Sequence, residues 1–175
     1  MYKVGDWIIY GKAGVCHVAE IRTIDFPCTD DGQLYYVLKP LSQNYTISTP
    51  VTNTKVFTRP VISKREAERL IDGIPQLEVR TYHSRSAQEL AEHYKRYVLT
   101  YDVGDLIELT MSLHAKRHPA GDGKGKFGAI DQKFMKQAEE LLFGELSVAL
   151  GIPKEAVPEY IASRVDSQGR REEER

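Results

Sequence analysis

The side chains able to do chemistry are few and scattered. Among the chain's 175 residues are five histidines. His17 falls in a predicted strand and His83 in a loop, while His93, His114 and His118 lie on or at the ends of predicted helices. His114 and His118 share a helix face at i and i+4, a spacing that a metal ion can bridge. No nearby cysteine and no third ligand accompanies them, so no metal site is expected. The run Pro119-Ala-Gly-Asp-Gly-Lys-Gly-Lys-Phe-Gly128 superficially suggests a phosphate loop. It lacks Gly-Lys-Ser/Thr and has no preceding strand, so no nucleotide, other cofactor or small-molecule substrate is expected. The two cysteines, Cys16 and Cys28, form neither a disulfide framework nor a zinc spacing. Cys16 lies in an apolar strand, where a thiol acts as a small hydrophobe. No catalytic constellation emerges, and the chain reads as a non-enzyme.

The cations are more informative. Lys95 and Arg96 flank Tyr94 on one predicted helix. Lys116 and Arg117 end the next, and Lys124 and Lys126 follow in the glycine-rich loop. Positive side chains interleaved with aromatics can hold phosphates and press a ring or apolar side chain into a minor groove. The same residues also suit a solvated helix surface, since cations near helix C-termini are favoured by the dipole. The formal net charge is −1, so no long-range field draws the protein toward nucleic acid. Any DNA contact must come from this local patch.

The elements that position these residues are of two kinds. From Tyr2 to Thr58 the pattern is β. Trp7 to Tyr10 and Val15 to Ile24 flank a turn carrying Gly11 and Gly14. Strict alternation in the second strand sets Val15, His17, Ala19 and Ile21 against Cys16, Val18 and Glu20. Further strands are predicted at Leu34–Leu41, Tyr45–Thr49 and Lys55–Phe57, with Pro50 breaking the fourth. Five short strands in so few residues predict a small, strongly bent barrel.

At Arg59-Pro60 the pattern changes to helix. Ser63-x-x-Glu66 and Ser86-x-x-Glu89 are capping boxes, and Asp102 can cap a third helix. Leu90, Tyr94, Tyr97, Val98 and Tyr101 form a stripe on the second helix. Asp131 to Leu150 is the strongest helix, stopped by Gly151, and Pro153 opens a last one running to about Arg164. The charged end has nothing to bury and predicts disorder. The expectation is an α+β chain of two domains. Residues 1–59 form the β domain, residues 60–165 an all-α domain of about five helices, and residues 166–175 a disordered tail. No signal region or membrane-length apolar run is present, so a soluble cytoplasmic protein is expected.

The stretch Val4-Gly5-Asp6-Trp7-Ile8-Ile9-Tyr10, then Gly14-Val15 and a strand reaching Ile21, resembles the opening of the CarD/CdnL family of bacterial transcription regulators. Leu34-Tyr-Tyr-Val-Leu38 and Thr46-Ile-Ser-Thr-Pro50 match the family's next strands in order and spacing. The Tyr94-Lys95-Arg96 region and Ala138 to Leu146 also match. The chain departs from the family at Gly11 and Ala13, where Pro and His are usual.

The resemblance implies a Tudor- or SH3-like β domain that binds the β subunit of RNA polymerase. It also implies a helical domain that contacts promoter DNA beside the opening bubble and so modulates initiation, in a bacterial cytoplasm and at the nucleoid through polymerase. The family's polymerase contact uses a strand edge and nearby arginines. Arg22 stands where one such arginine falls, and Ser48 where the second does. Tyr45, Ile47, Thr49 and Pro50 complete the implied edge. Leu90 falls near the family's DNA-contacting tryptophan, while Tyr94 and Lys95 match its Tyr-Lys pair. The implied DNA set is then Leu90, Tyr94, Lys95, Arg96, Lys116, Arg117, Lys124 and Lys126. Two other readings of the residues remain. One is a stand-alone nucleic-acid module with Tyr35 and Tyr45 as its aromatic platform. The other is a non-catalytic accessory subunit docking on another large protein.

Overall fold

The computed structural model describes residues 1–25, 27, 32–119 and 126–173. The chain divides into two compact units, Met1–Ile62 and Ser63–Arg175.

The first unit is one antiparallel sheet. Its strands are β1 (Trp7–Tyr10), β2 (Val15–Thr23), β3 (Leu34–Pro40), β4 (Ile47–Pro50) and β5 (Thr58–Pro60). They lie in the order β4-β3-β2-β1-β5. β1 and β2 are joined by a tight turn in which Gly11 and Gly14 have φ of +45° and +70°. Glycine is required at Gly11 for a second reason: a Cβ there would meet Val56 Cγ1 at 2.8 Å.

The sheet is open where a barrel was expected. Closure needs edge strands that can pair along a common stagger. Here the two edges are β4 and β5, with four and three residues, and they occupy opposite ends of the strand order. The fifth strand also falls later than the β-propensity run at Lys55–Phe57. Its place is set by pairing with β1, Tyr10 against Thr58 and Ile8 against Pro60. Pro60 is tolerated because an edge strand has one side that needs no donor. Pro50 likewise ends β4 within the ladder, opposite Tyr35.

A bulge re-phases β2. Val18 stands opposite Leu38, but Glu20 stands opposite Val37, so Ala19 is the extra residue. Strict alternation would send Ile21 to the face opposite Cys16. The bulge instead turns Cys16, Val18 and Ile21 all toward the core formed with Ile8, Tyr36 and Leu38.

The second unit has helices α1 (Lys64–Asp72), α2 (Ala87–Leu99), α3 (Val103–Arg117), α4 (Ala129–Leu150) and α5 (Val157–Glu173). Each of the first three has its predicted N-cap, but the expected return bonds of the two boxes are not made: Glu66 pairs with Arg69 and Glu89 accepts from Ser84. Ser63, Ser86 and Asp102 accept the backbone N–H of Glu66, Glu89 and Asp105 respectively. Gly151, at φ +68°, closes α4 in the left-handed conformation. The Ile152 and Gly151 N–H groups donate to the Ser147 and Val148 carbonyls, a Schellman arrangement. The core is built from Ile71, Tyr94, Leu109, Leu113, Leu142, Leu146 and Val157, all nearly inaccessible. α2 ends at Leu99, so Tyr101 leaves the predicted stripe and takes φ +54° in the link to α3.

α5 runs to Glu173, so residues 166–173 are helical where composition alone predicts a disordered tail. Upstream of that stretch the helix is latched to α1 by a fork of Arg164 on both Asp72 oxygens at 2.5 and 2.9 Å. A helix already nucleated propagates cheaply through polar residues. Among the described residues, no helix is long and apolar enough to cross a membrane.

Candidate functional site

One edge of the sheet is β4. Among the described residues it pairs with β3 alone, in the register Leu38–Ile47, Val37–Ser48, Tyr36–Thr49 and Tyr35–Pro50. The Val51 N–H donates to the Leu34 carbonyl at 3.0 Å, which fixes the phase of the ladder. Backbone groups of Ile47 and Thr49 therefore point at β3, and those of Ser48 and Pro50 point away. Pro50 has no N–H, and its carbonyl accepts from the Asn53 N–H at 3.0 Å. The outward pair left on this strand is the N–H and C=O of Ser48, a ready template for an added strand.

The side chains of the edge divide by face. Ile47 packs against the sheet core. Thr49 is buried, and its hydroxyl accepts from Tyr10 Oη at 3.0 Å and Asn53 Nδ2 at 2.9 Å. Thr49 thus anchors the edge and does not face outward. Ser48 is exposed, as is Tyr45, which precedes the strand. Arg22, Tyr35 and Pro50 form one cross-strand row, so Arg22 stands roughly 10 Å from the edge by the ordinary strand spacing. Its guanidinium meets Glu20 at 3.4 Å, with both side chains more than half exposed. Such a pair is weak enough to exchange for another carboxylate. Tyr35 is buried, so Tyr35 and Tyr45 do not form the aromatic platform of a stand-alone nucleic-acid module.

In the helical unit the predicted DNA set separates into two groups. Lys95, Arg96, Arg117 and Lys126 are exposed. The Arg117 guanidinium lies 5.7 Å from the centre of the Phe127 ring. Leu90, Tyr94 and Lys116 are instead buried, at 8%, 1% and 4% exposure. Leu90 and Tyr94 belong to the inward stripe of α2, and helical spacing puts Lys116 one turn beyond Leu113 on the inward face of α3. These three therefore cannot meet a ligand at the surface. Lys124, like Cys28, lies outside the described residues.

Tyr94 and Lys116 converge on a residue that the sequence reading overlooked. The Tyr94 hydroxyl and the Lys116 ammonium both donate to Asp131 Oδ1, the lysine at 2.8 Å. Asp131 Oδ2 accepts the Gly128 N–H at 2.9 Å, closing the start of α4. Asp131 is 1% exposed. Burial opposes its ionisation, yet the Lys116, Tyr94 and Gly128 donors hold its carboxyl below the usual carboxylate range. Burial, and then the bond to Asp131, pushes the Tyr94 hydroxyl far up. One signal for this triad was legible: Asp131 stands three residues after a glycine at a helix start, the spacing of a cap.

Other chemistry-bearing residues are occupied structurally. His114 Nε2 lies 3.0 Å from Glu139 Oε1, linking α3 to α4. Among the described residues no group of three or more His, Cys, Asp or Glu side chains is placed to hold a metal ion. Burial pushes the Cys16 thiol up to about 11, leaving it protonated and inert at neutral pH. On the outer side of α2, His93 stacks on Tyr82 with centroids 3.7 Å apart and planes 10° apart. Burial, followed by the charges of Arg96 and Lys116, holds this imidazole below its ordinary value.

Residues 2–62 match the family model of the CarD-like/TRCF RID domain. No curated protein matches the chain. The match covers nearly all of the first unit, including the β4 edge and Arg22, and leaves the helical unit outside it. Domains of this type are non-catalytic interaction modules whose partner is RNA polymerase. The open five-stranded sheet at the start of this chain is thereby identified as a CarD-like/TRCF RID domain.

Proposed function

We propose that this protein is a non-catalytic regulator of transcription initiation in a bacterial cytoplasm. It docks on the β subunit of RNA polymerase through the β4 edge and holds its helical unit against promoter DNA. The observation that carries this reading is the outward backbone pair of Ser48 on an otherwise satisfied edge, with Arg22 on the adjoining face of an RNA polymerase-interacting domain. Strand addition supplies affinity from main-chain hydrogen bonds without requiring a particular side chain. A serine at position 48 is then tolerable, although it supplies none of the bidentate charge of an arginine. Lys95, Arg96, Arg117 and Lys126 form the DNA-facing set. A few phosphate contacts give weak, salt-sensitive binding, and docking on polymerase raises the local DNA concentration enough for it to act.

The test is a binding titration of the full chain against purified polymerase. Ser48→Pro removes the outward N–H, and Arg22→Glu reverses the flanking charge. Ser48→Pro should weaken binding at least tenfold and Arg22→Glu several-fold, with circular dichroism unchanged. Wild-type affinity in both folded variants would move the interface off β4. Lys95→Glu combined with Arg96→Glu should abolish the effect on promoter opening and leave polymerase binding intact.

A further inference from the structure

We propose that the cleft between the second half of α2 and the first turn of α3 is a pocket for one unpaired guanine base. The cleft has a volume of about 220 Å³ and is lined by His93, Arg96, Tyr97 and Asp105. It is large enough for a single base and too small for a base pair. The inference rests on the promoter-DNA reading of the helical unit and specifies which nucleic-acid feature the unit grips.

The functional groups facing this cleft are uncommitted. Arg96 and Asp105 make no side-chain hydrogen bond or ion pair with any described residue, and the His93 ring nitrogens make no hydrogen bond with one. The Asp105 backbone N–H is donated to the Asp102 cap at 3.1 Å, leaving the carboxylate to the cleft. The rings of the cleft are held in place from behind. Tyr82 stacks on His93 at 3.7 Å, the His93 and Tyr97 centroids are 5.6 Å apart, and the Tyr97 hydroxyl donates to Glu108 at 3.4 Å. A further latch keeps the segment carrying Tyr82 in place, where the Ser112 hydroxyl donates to the Arg80 carbonyl at 2.6 Å. Preorganised rings with one unpaired cation and one unpaired anion are what a small polar aromatic ligand needs.

The pairing of charges selects the base. A carboxylate offers only acceptors and a guanidinium only donors. Guanine presents two adjacent donors, N1–H and the N2 amine, which a carboxylate can accept together. It presents two adjacent acceptors, O6 and N7, for a guanidinium. Cytosine has paired acceptors but no paired donors, and adenine and thymine have neither paired edge. In a duplex the N1–H is already paired, so the complete pattern exists only on an unpaired strand. Single-stranded bases are read in this way, by stacking together with hydrogen bonds to their exposed edges. A phosphate is the poorer occupant, because the Asp105 carboxylate would repel it.

The experiment titrates the full chain, by fluorescence anisotropy, with the heptamers dT3-dG-dT3 and dT7, with the corresponding dA and dC heptamers, and with a duplex. The dG heptamer should bind about tenfold tighter than the others, one good paired contact's worth of discrimination. Asp105→Asn should erase that preference. The same variant should bind the duplex as well as wild type or better, because it removes a negative charge from the DNA-facing side. That opposition of sign separates base recognition from simple electrostatics. Equal binding of all heptamers by wild type, or a preference that survives Asp105→Asn, overturns the pocket. If the duplex still binds in that case, the promoter-DNA reading stands without it. Binding of neither heptamer nor duplex overturns both.

Discussion

Replacing Lys116 by methionine tests the reading of the buried triad most sharply. Methionine keeps the length of the side chain and its apolar contacts, and removes only the ammonium. Asp131, at 1% exposure, would then keep the Tyr94 and Gly128 donors but lose the opposite charge of Lys116 at 2.8 Å. Breaking a buried pair from one side costs about 3–5 kcal/mol, because the remaining charge stays desolvated. For a unit of this size that corresponds to a fall in Tm on the order of 10–20 °C. Asp131→Leu alone should be comparably severe, since it strands Lys116 and also removes the cap on Gly128.

The double variant Lys116→Met with Asp131→Leu strands no charge. It should lose the cap, some packing and the partner of the buried Tyr94 hydroxyl, about 2–4 kcal/mol, still well below the sum of the singles. Helical circular dichroism follows the second unit during urea unfolding. Emission from Trp7, the single tryptophan, follows the first. The helical transition should move and the tryptophan transition should stay. A single-variant cost under about 1 kcal/mol, or strictly additive singles, would show that the triad is not the electrostatic joint described here.

The same joint sets the acid limit of the helical unit. The Asp131 carboxyl is held below its ordinary value, so its contribution is fully present above the unfolded-state pKa of about 4 and is lost as pH falls through the lower folded value. Stability measured between pH 5 and pH 2 should fall less steeply in the Lys116→Met, Asp131→Leu double variant than in wild type. Cys16 should resist thiol reagents in native Cys28→Ser protein at pH 8 and react in denaturant, because burial leaves it protonated. Rapid native labelling would contradict its place in the sheet core. Gly151→Ala should cost about 1 kcal/mol through the φ of +68° alone, since the space beside it is open; a larger loss would mean that the added methyl meets something there.

The periodic features of this protein were legible from the sequence. Helix starts at Ser63, Ser86 and Asp102 follow from a cap three residues ahead of an acidic side chain, a local interaction that needs no other part of the chain. The stop at Gly151 follows equally locally from the left-handed conformation that glycine alone adopts freely. The distinct periods of two and 3.6 residues put the change of pattern at Arg59-Pro60, whereas β5 runs through Pro60 and the first unit through Ile62. Only the tertiary structure decided what lay across elements. The bulge at Ala19 is a mismatch of register between β2 and β3, and it moves Ile21 to the core against the period of its own strand. The sheet is open between its short edges β4 and β5, and whether two edges meet is a property that no single strand carries. Lys116 and Tyr94 look like surface chemistry in one dimension, since a cation and a hydroxyl both suit DNA. Their partner Asp131 lies 15 and 37 residues away in sequence, and a buried charge can be recognised only when the group that neutralises it is in place.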